Sequence, residues 1–173
     1  MNLIKLFFLG VSGYFLAALY DIALLYKRTA LSRVLYVGFF VTAIPFVLLF
    51  NQYSSPHSGW LKILLILLMI GSALLLTYSV LLEFLLRNKT PGSLYTQGTY
   101  RICRHPGFHW HFLFSLCTSL YFWYAPITLV VAGFVLNNFL LVLWEDKLLF
   151  PKLFPTYGEY KKTTPFLNPF QGR

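Results

Sequence analysis

Two groups of residues in this chain have the types and spacing to do chemistry. The first is the stretch YRICRHPGFHW, residues 100–110, in which Arg101, Arg104, His105 and His109 surround a helix-stopping Pro106. The second is the adjacent carboxylate pair Glu145 and Asp146. Pro106 suits the first turn of a helix, which puts Arg104 and His105 at that helix's N-terminal mouth. Backbone N–H groups there attract an anion, and neighbouring cations add to the attraction, so this mouth could hold a carboxylate or phosphate. An ordinary reading stands beside it: Arg101 and Arg104 as cationic membrane anchors and His105 as a polar cap. Glu145 and Asp146 end a long apolar run, where two negative charges oppose the helix dipole and call for a cation. Arg101, Arg104, His105, Lys147 or a positively charged ligand could supply it.

The composition identifies the elements that must position these groups. Of 173 residues, 58% are hydrophobic, 20% aromatic and 11% charged. A soluble domain is roughly 25% charged, so this is an integral membrane protein. Crossing a hydrocarbon core takes about 17 to 25 apolar residues. Such runs occupy 3–26, 34–50, 60–86, 108–124 and 126–149. The expected fold class is an all-α integral membrane protein of about five transmembrane helices, with a C-terminal helical hairpin and a cytoplasmic tail. The second and fourth runs are barely long enough to cross, whereas the third and fifth should tilt or project into water. Very few residues join the fourth and fifth runs, so these spans are antiparallel neighbours. That connection predicts Arg104 and His105 side by side with Glu145 and Asp146. No linker or charge block divides the chain, which reads as one domain over 1–173. The first run lacks a removable signal peptide's short core and cleavage site and should remain as a helix.

Short-loop basic residues set the orientation. Lys27, Arg28, Arg33, Arg87, Lys89, Arg101, Arg104, Lys147, Lys152, Lys161, Lys162 and Arg173 place 12 of the 14 basic residues on one face, leaving Lys5 and Lys62 on the other. The N-terminus is expected outside and the tail in the cytoplasm, in a bacterial inner membrane or the endoplasmic reticulum. Topology and an anionic leaflet then account for the net charge of +9, and no nucleic-acid partner is implied. Cys103 and Cys117 form no metal or redox spacing and should be reduced.

Other polar positions have mostly local explanations. Asn138 and Glu145, seven residues apart, share a helix face, and Asn137 and Asn138 suit contacts between helices. Glu83 can pair with Arg87 at i+4, and Asp21 with Lys27 or Arg28. A metal site of His105, His109 and His111 is disfavoured, because a membrane di-iron centre takes far more than the four histidines present.

The stretch GTYRICRHPGF, then a helical hairpin, then EDKLLFPKLFPTYGEYKKTTPFLNP (145–169), resembles the signature of the isoprenylcysteine carboxyl methyltransferase and phospholipid methyltransferase superfamily. That pattern runs Gly-x-Tyr-Arg-x-x-Arg-His-Pro-x-Tyr, two helices, Glu-Glu-x-x-Leu, a Phe with spaced tyrosines, and a Pro-bounded tail. The match covers residues 94–170; the first three spans match only in being hydrophobic. It divides the chain into a three-helix part (1–90) and a methyltransferase-like part (91–173).

The resemblance implies S-adenosylmethionine bound at the cytoplasmic helix ends, contacted by Tyr100, Arg104, His105, Pro106, Phe108, Glu145 and Asp146, with Arg104 and Glu145 central to catalysis. A zwitterionic amino acid with a sulfonium needs a cation for its carboxylate, an anion for its ammonium and an aromatic bed. Arg104 answers the first need, Glu145 or Asp146 the second, and Tyr100, Phe108, Tyr157 and Tyr160 the third. The acceptor would be a lipid-like or prenylated molecule entering from the bilayer. A carboxylate, as on isoprenylcysteine, is favoured over an amine head group, since Arg101 or Arg104 could hold it and no base is needed. Three departures bear on the acceptor: Phe108 where the family has Tyr, Trp110 where Gly is common, and Asp146 for the second Glu. They also suit a non-catalytic scaffold or lipid-binding relative. A small NADPH-dependent reductase sharing the Arg-His-Pro tail is the third class, and no Gly-x-Gly-x-x-Gly fingerprint supports it.

Overall fold

Asn2 caps the first helix through its side chain, which accepts the backbone N–H of Lys5 at 3.1 Å, and α1 runs over Leu3–Leu25. The computed structural model describes residues 2–87 and 94–168, excepting the side chains of 80–87. The expected Glu83–Arg87 pair therefore lies outside the described residues, as do Lys89, the Pro91-Gly92 turn and the chain end from Pro169. After α1 come α2 (Thr29–Leu35), α3 (Val37–Val41), α4 (Ile44–Gln52), α5 (Gly59–Arg87), a 3-10 turn (Gly98–Arg101), α6 (Pro106–Phe122) and α7 (Ala125–Trp144). A π-helical turn (Glu145–Leu149), α8 (Phe150–Leu153) and α9 (Tyr157–Thr163) complete the order. The protein is an all-α membrane protein, and no strand occurs among the described residues.

Four segments are long and apolar enough to cross a membrane: Leu3–Leu25, Thr29–Gln52, Gly59–Ser79 and Ala125–Leu153. The second starts five residues before the expected 34 and is longer than the sequence suggested, because α2, α3 and α4 follow one another as one interrupted crossing. Pro45 explains the break before α4: proline lacks an N–H and its ring crowds the carbonyl four residues back, and α3 ends at Val41. The expected fourth span is α6, whose 17 residues fall short on length alone. It nevertheless runs level with α5. Ser55 and His57 before α5 bond to the carbonyls of Tyr121 and Leu120, and Tyr100 ahead of α6 donates to the carbonyl of Ser79. The turn to α7 comes two residues earlier than expected, at Trp123 and Tyr124, where Trp123 adopts a left-handed backbone (φ 46°).

Large side chains such as Phe8, Phe15, Leu67, Leu74, Leu129 and Leu140 are exposed around the bundle. A water-soluble protein could not present so much apolar surface; here it is the surface that meets lipid. Inside, Leu6, Tyr14, Phe46, Leu49, Phe122, Ile127, Val131 and Phe134 join α1, α4, α6 and α7 in one core. Leu65, Met69 and Cys117 seal α5 on α6. Glycines let α1 and α3 touch backbone to backbone, as small residues do between membrane helices. A Cβ on Gly38 would lie 2.6 Å from Leu16 Cβ and 2.8 Å from the Ala17 nitrogen, and backbone atoms cannot yield. Gly38→Ala should therefore cost about 1–3 kcal/mol, read as a lowered midpoint of thermal unfolding in detergent. An unchanged midpoint would mean that α1 and α3 are not in such close contact.

Candidate functional site

The tail end of the bundle is built from three pieces of chain. Gly98, with φ at +60°, lets the 3-10 turn fold tightly, and Pro106 then begins α6 with His105 at its N-cap. Across the hairpin, α7 gives way to the π-helical turn. On a regular helix neighbouring side chains diverge by about 100°, and a π-turn inserts an extra residue, a feature common at functional sites. Asp146 is buried and Glu145 half-buried, while Lys147 and Leu148 point outward. The third piece is the segment after α8, which folds back so that α9 and residues 164–166 cover the other two.

Asp146 is the hub. Its Oδ1 lies 3.0 Å from Arg104 Nε and accepts the Tyr157 hydroxyl at 2.5 Å, while Oδ2 lies 3.3 Å from Lys161 Nζ. His105 sits between the two carboxylates, with Nδ1 3.5 Å from Glu145 Oε2 and Nε2 3.6 Å from Asp146 Oδ1. The Arg104 contact is an ion pair without an aligned hydrogen bond: its Nε–H, like His105 Nε2, has no hydrogen-bond partner among the described residues. Burial, with the Asp146 bond second, pushes the Tyr157 phenol far above its usual range, so it remains a donor to the carboxylate. The charges that oppose the dipole of α7 are thus met from within the chain by Arg104, His105 and Lys161.

Aromatic rings close the cluster. His105 stacks on Phe150 (centroids 5.6 Å apart, planes 7° apart) and meets Phe166 edge-on at 5.3 Å. The Arg104 guanidinium stands 5.7 Å over the Phe166 ring, and the Arg104 backbone N–H donates to the Pro165 carbonyl at 3.0 Å. Tyr160 donates to the Tyr100 carbonyl, and Phe150, Phe154, Tyr157 and Tyr160 form a small core of their own.

The structure brings Arg104, His105, Glu145 and Asp146 together, with Pro106 opening the helix beside them. Two other expected site residues are placed differently. Tyr100 sends its hydroxyl to the Ser79 carbonyl on α5 and packs its ring on Tyr95, joining the cluster through its main-chain carbonyl. Phe108 packs on Phe112 and on Phe139 across the hairpin. Phe150 and Phe166 are the rings that pack on His105, and Lys161 adds a cation beside Asp146 that the sequence alone does not single out. A signal for Lys161 existed: it stands at i+4 from Tyr157, so if one reaches Asp146 the other can. Asn137 donates to the Gly133 carbonyl of its own helix at 2.8 Å, and no bond from it to another helix occurs among the described residues. The histidines have separate neighbours: His109 Nδ1 is 3.8 Å from Cys103 Sγ, and His111 pairs with Tyr14. Burial pushes the Cys103 thiol up, which keeps it protonated at neutral pH.

Comparison with protein-family models, with curated proteins and with solved structures returns no match for this chain.

Proposed function

We propose that the protein is a membrane-embedded S-adenosylmethionine-dependent methyltransferase acting on a lipid-like or prenylated acceptor, with a carboxylate favoured over an amine. The observation that carries this reading is the buried cluster at one membrane edge, in which Arg104 and His105 face Glu145 and Asp146 under a cover of aromatic rings. This donor set fits a zwitterionic amino acid: Arg104 and His105 would face its carboxylate, although Arg104 Nε already lies 3.0 Å and His105 Nε2 3.6 Å from Asp146 Oδ1. Glu145, at the outer edge of the cluster, would take the ammonium group, and Phe150, Phe166 and Tyr157 would flank the rest. When bound, the cofactor supplies an electrophilic methyl group on a sulfonium.

Asp146 fixes Arg104 in place, and the folded-back tail excludes water, which is what an in-line displacement asks of its surroundings. Arg101 is exposed at the end of the 3-10 turn, where it can meet an acceptor carboxylate that needs no base. For an amine or thiol, His105 would accept the proton, with Glu145 at 3.5 Å to hold the resulting charge.

Calorimetric titration of the detergent-purified protein with S-adenosylmethionine and S-adenosylhomocysteine, with NADPH beside them, tests the reading. Micromolar binding of the first two and none of NADPH is the expected result. Binding of NADPH alone would point to a reductase. One observation favours a second reading: Asp146 is already met by Arg104, Tyr157 and Lys161, as in a purely structural latch. Silence from all three ligands would favour that non-catalytic scaffold. The same reading puts the tail in the cytoplasm, so a C-terminal tag should be protected from protease in right-side-out vesicles; an accessible tag would invert the orientation.

A further inference from the structure

About two helical turns into the bundle from the ion cluster, α6 presents a second polar group that the proposed function does not use. The Tyr14 hydroxyl and His111 Nε2 are 2.8 Å apart between α1 and α6, and both residues are more than nine-tenths buried. The imidazole is held edge-on by Tyr14 and by Phe46, each with ring centroids 6.2 Å away, and Phe46 packs in turn on Phe114 and Phe134. In this apolar setting His111 Nδ1 has no hydrogen-bond partner among the described residues. Neither has Ser115 Oγ, one turn further along the same face, in a residue only 1% exposed.

Two buried polar atoms four residues apart on one face of α6, without hydrogen-bond partners among the described residues, are costly, at about 1–3 kcal/mol each. Serine and threonine in such helices ordinarily return the hydroxyl to the carbonyl four residues back, as Ser72, Ser79 and Thr118 do here. Ser115 does not. His111 cannot turn Nδ1 elsewhere while Tyr14 holds Nε2. The two tautomers then pose complementary demands. If Tyr14 donates to Nε2, Nδ1 carries a proton and needs an acceptor; if Nε2–H donates to the phenol oxygen, Nδ1 is bare and needs a donor. A hydroxyl oxygen answers both, and Ser115 Oγ can donate to it or accept from it. Polar and ionisable side chains within a membrane core are rare, and they face the bundle interior or a water-filled cavity, where they pair with one another or with backbone carbonyls.

We infer that His111 and Ser115 form an intramembrane binding site for one neutral hydroxyl oxygen, supplied by a trapped water or by the alcohol group of a membrane lipid. The site is independent of the methyltransferase reading.

Nuclear magnetic resonance of protein with nitrogen-15 histidine, in nanodiscs of fully deuterated phospholipid, tests it. The His111 Nδ1 signal, identified by its loss in His111→Gln, should show a through-space cross-peak to water. If the source is lipid, the cross-peak appears instead to the hydroxyl of a protonated long-chain alcohol added to the same bilayer. Either cross-peak should vanish in Ser115→Ala. Should His111→Gln fail to fold, Tyr14→Phe gives the assignment, because it shifts the Nε2 signal of this histidine alone. Absence of both cross-peaks, or a cross-peak that survives Ser115→Ala unchanged, would overturn the site.

Discussion

Asp146→Ala is expected to destabilise the folded protein by about 3–5 kcal/mol, the usual consequence of removing one partner from a buried ion pair. The physical cause is what remains behind. Arg104, with its charge buried, would keep its aromatic cover from Phe166 but lose its carboxylate at 3.0 Å, and the Tyr157 hydroxyl would lose its acceptor. Lys161, whose side chain is 37% exposed, can turn to water and adds little. The measurement is the midpoint of unfolding in mild detergent, with two controls. Tyr157→Phe removes a single hydrogen bond and should cost about 1 kcal/mol. Replacing both charges, Arg104→Met with Asp146→Leu, should recover most of the loss, since apolar residues of similar size often substitute for a buried pair without penalty. A midpoint that Asp146→Ala leaves in place would mean that the tail does not close on α7 as described.

Glu145→Gln, in contrast, should leave the midpoint near the wild-type value and sharply weaken cofactor binding. The substitution keeps the shape, deletes the charge and turns one acceptor oxygen into an NH2 donor. Glu145 lies at the edge of the cluster, with a side chain 14% exposed against 6% for Asp146, and its contact with His105 Nδ1, at 3.5 Å, is longer than that of Asp146 with Arg104. A charge-assisted bond to an ammonium group contributes about 1.5–3 kcal/mol, or roughly 10- to 150-fold in affinity. That loss would move a micromolar dissociation constant to roughly 10–150 micromolar, a shift that calorimetry resolves. Wild-type affinity in Glu145→Gln would remove this residue from the site, and a collapse of the midpoint would make it a second structural hub. The contrast separates the two carboxylates: one variant reads out in stability, the other in binding.

Run length, helix signals and connectivity are enough to set most of the elements and the most important meeting between them. Apolar run length identified four of the five expected spans, Pro106 marked the start of α6, and the short connection between the fourth and fifth runs forced α6 and α7 to lie antiparallel. Those facts alone bring Arg104 and His105 beside Glu145 and Asp146, because a hairpin is a local constraint: two helices joined by a tight turn must align their far ends. Tertiary structure decided how the meeting is arranged. The π-turn selects Asp146 as the buried hub and leaves Glu145 at the rim, although the two are equivalent as letters in a sequence. The return of the tail brings in Lys161, Phe150 and Phe166, and the packing of α6 against α7 takes Phe108 into the hairpin. The Tyr14–His111 pair joins residues 97 positions apart, with no local pattern to announce it. Hydrophobicity and chain connectivity act over a few residues and can be read along the chain, whereas the choice of partner for a buried charge depends on which surfaces meet once every helix is in place.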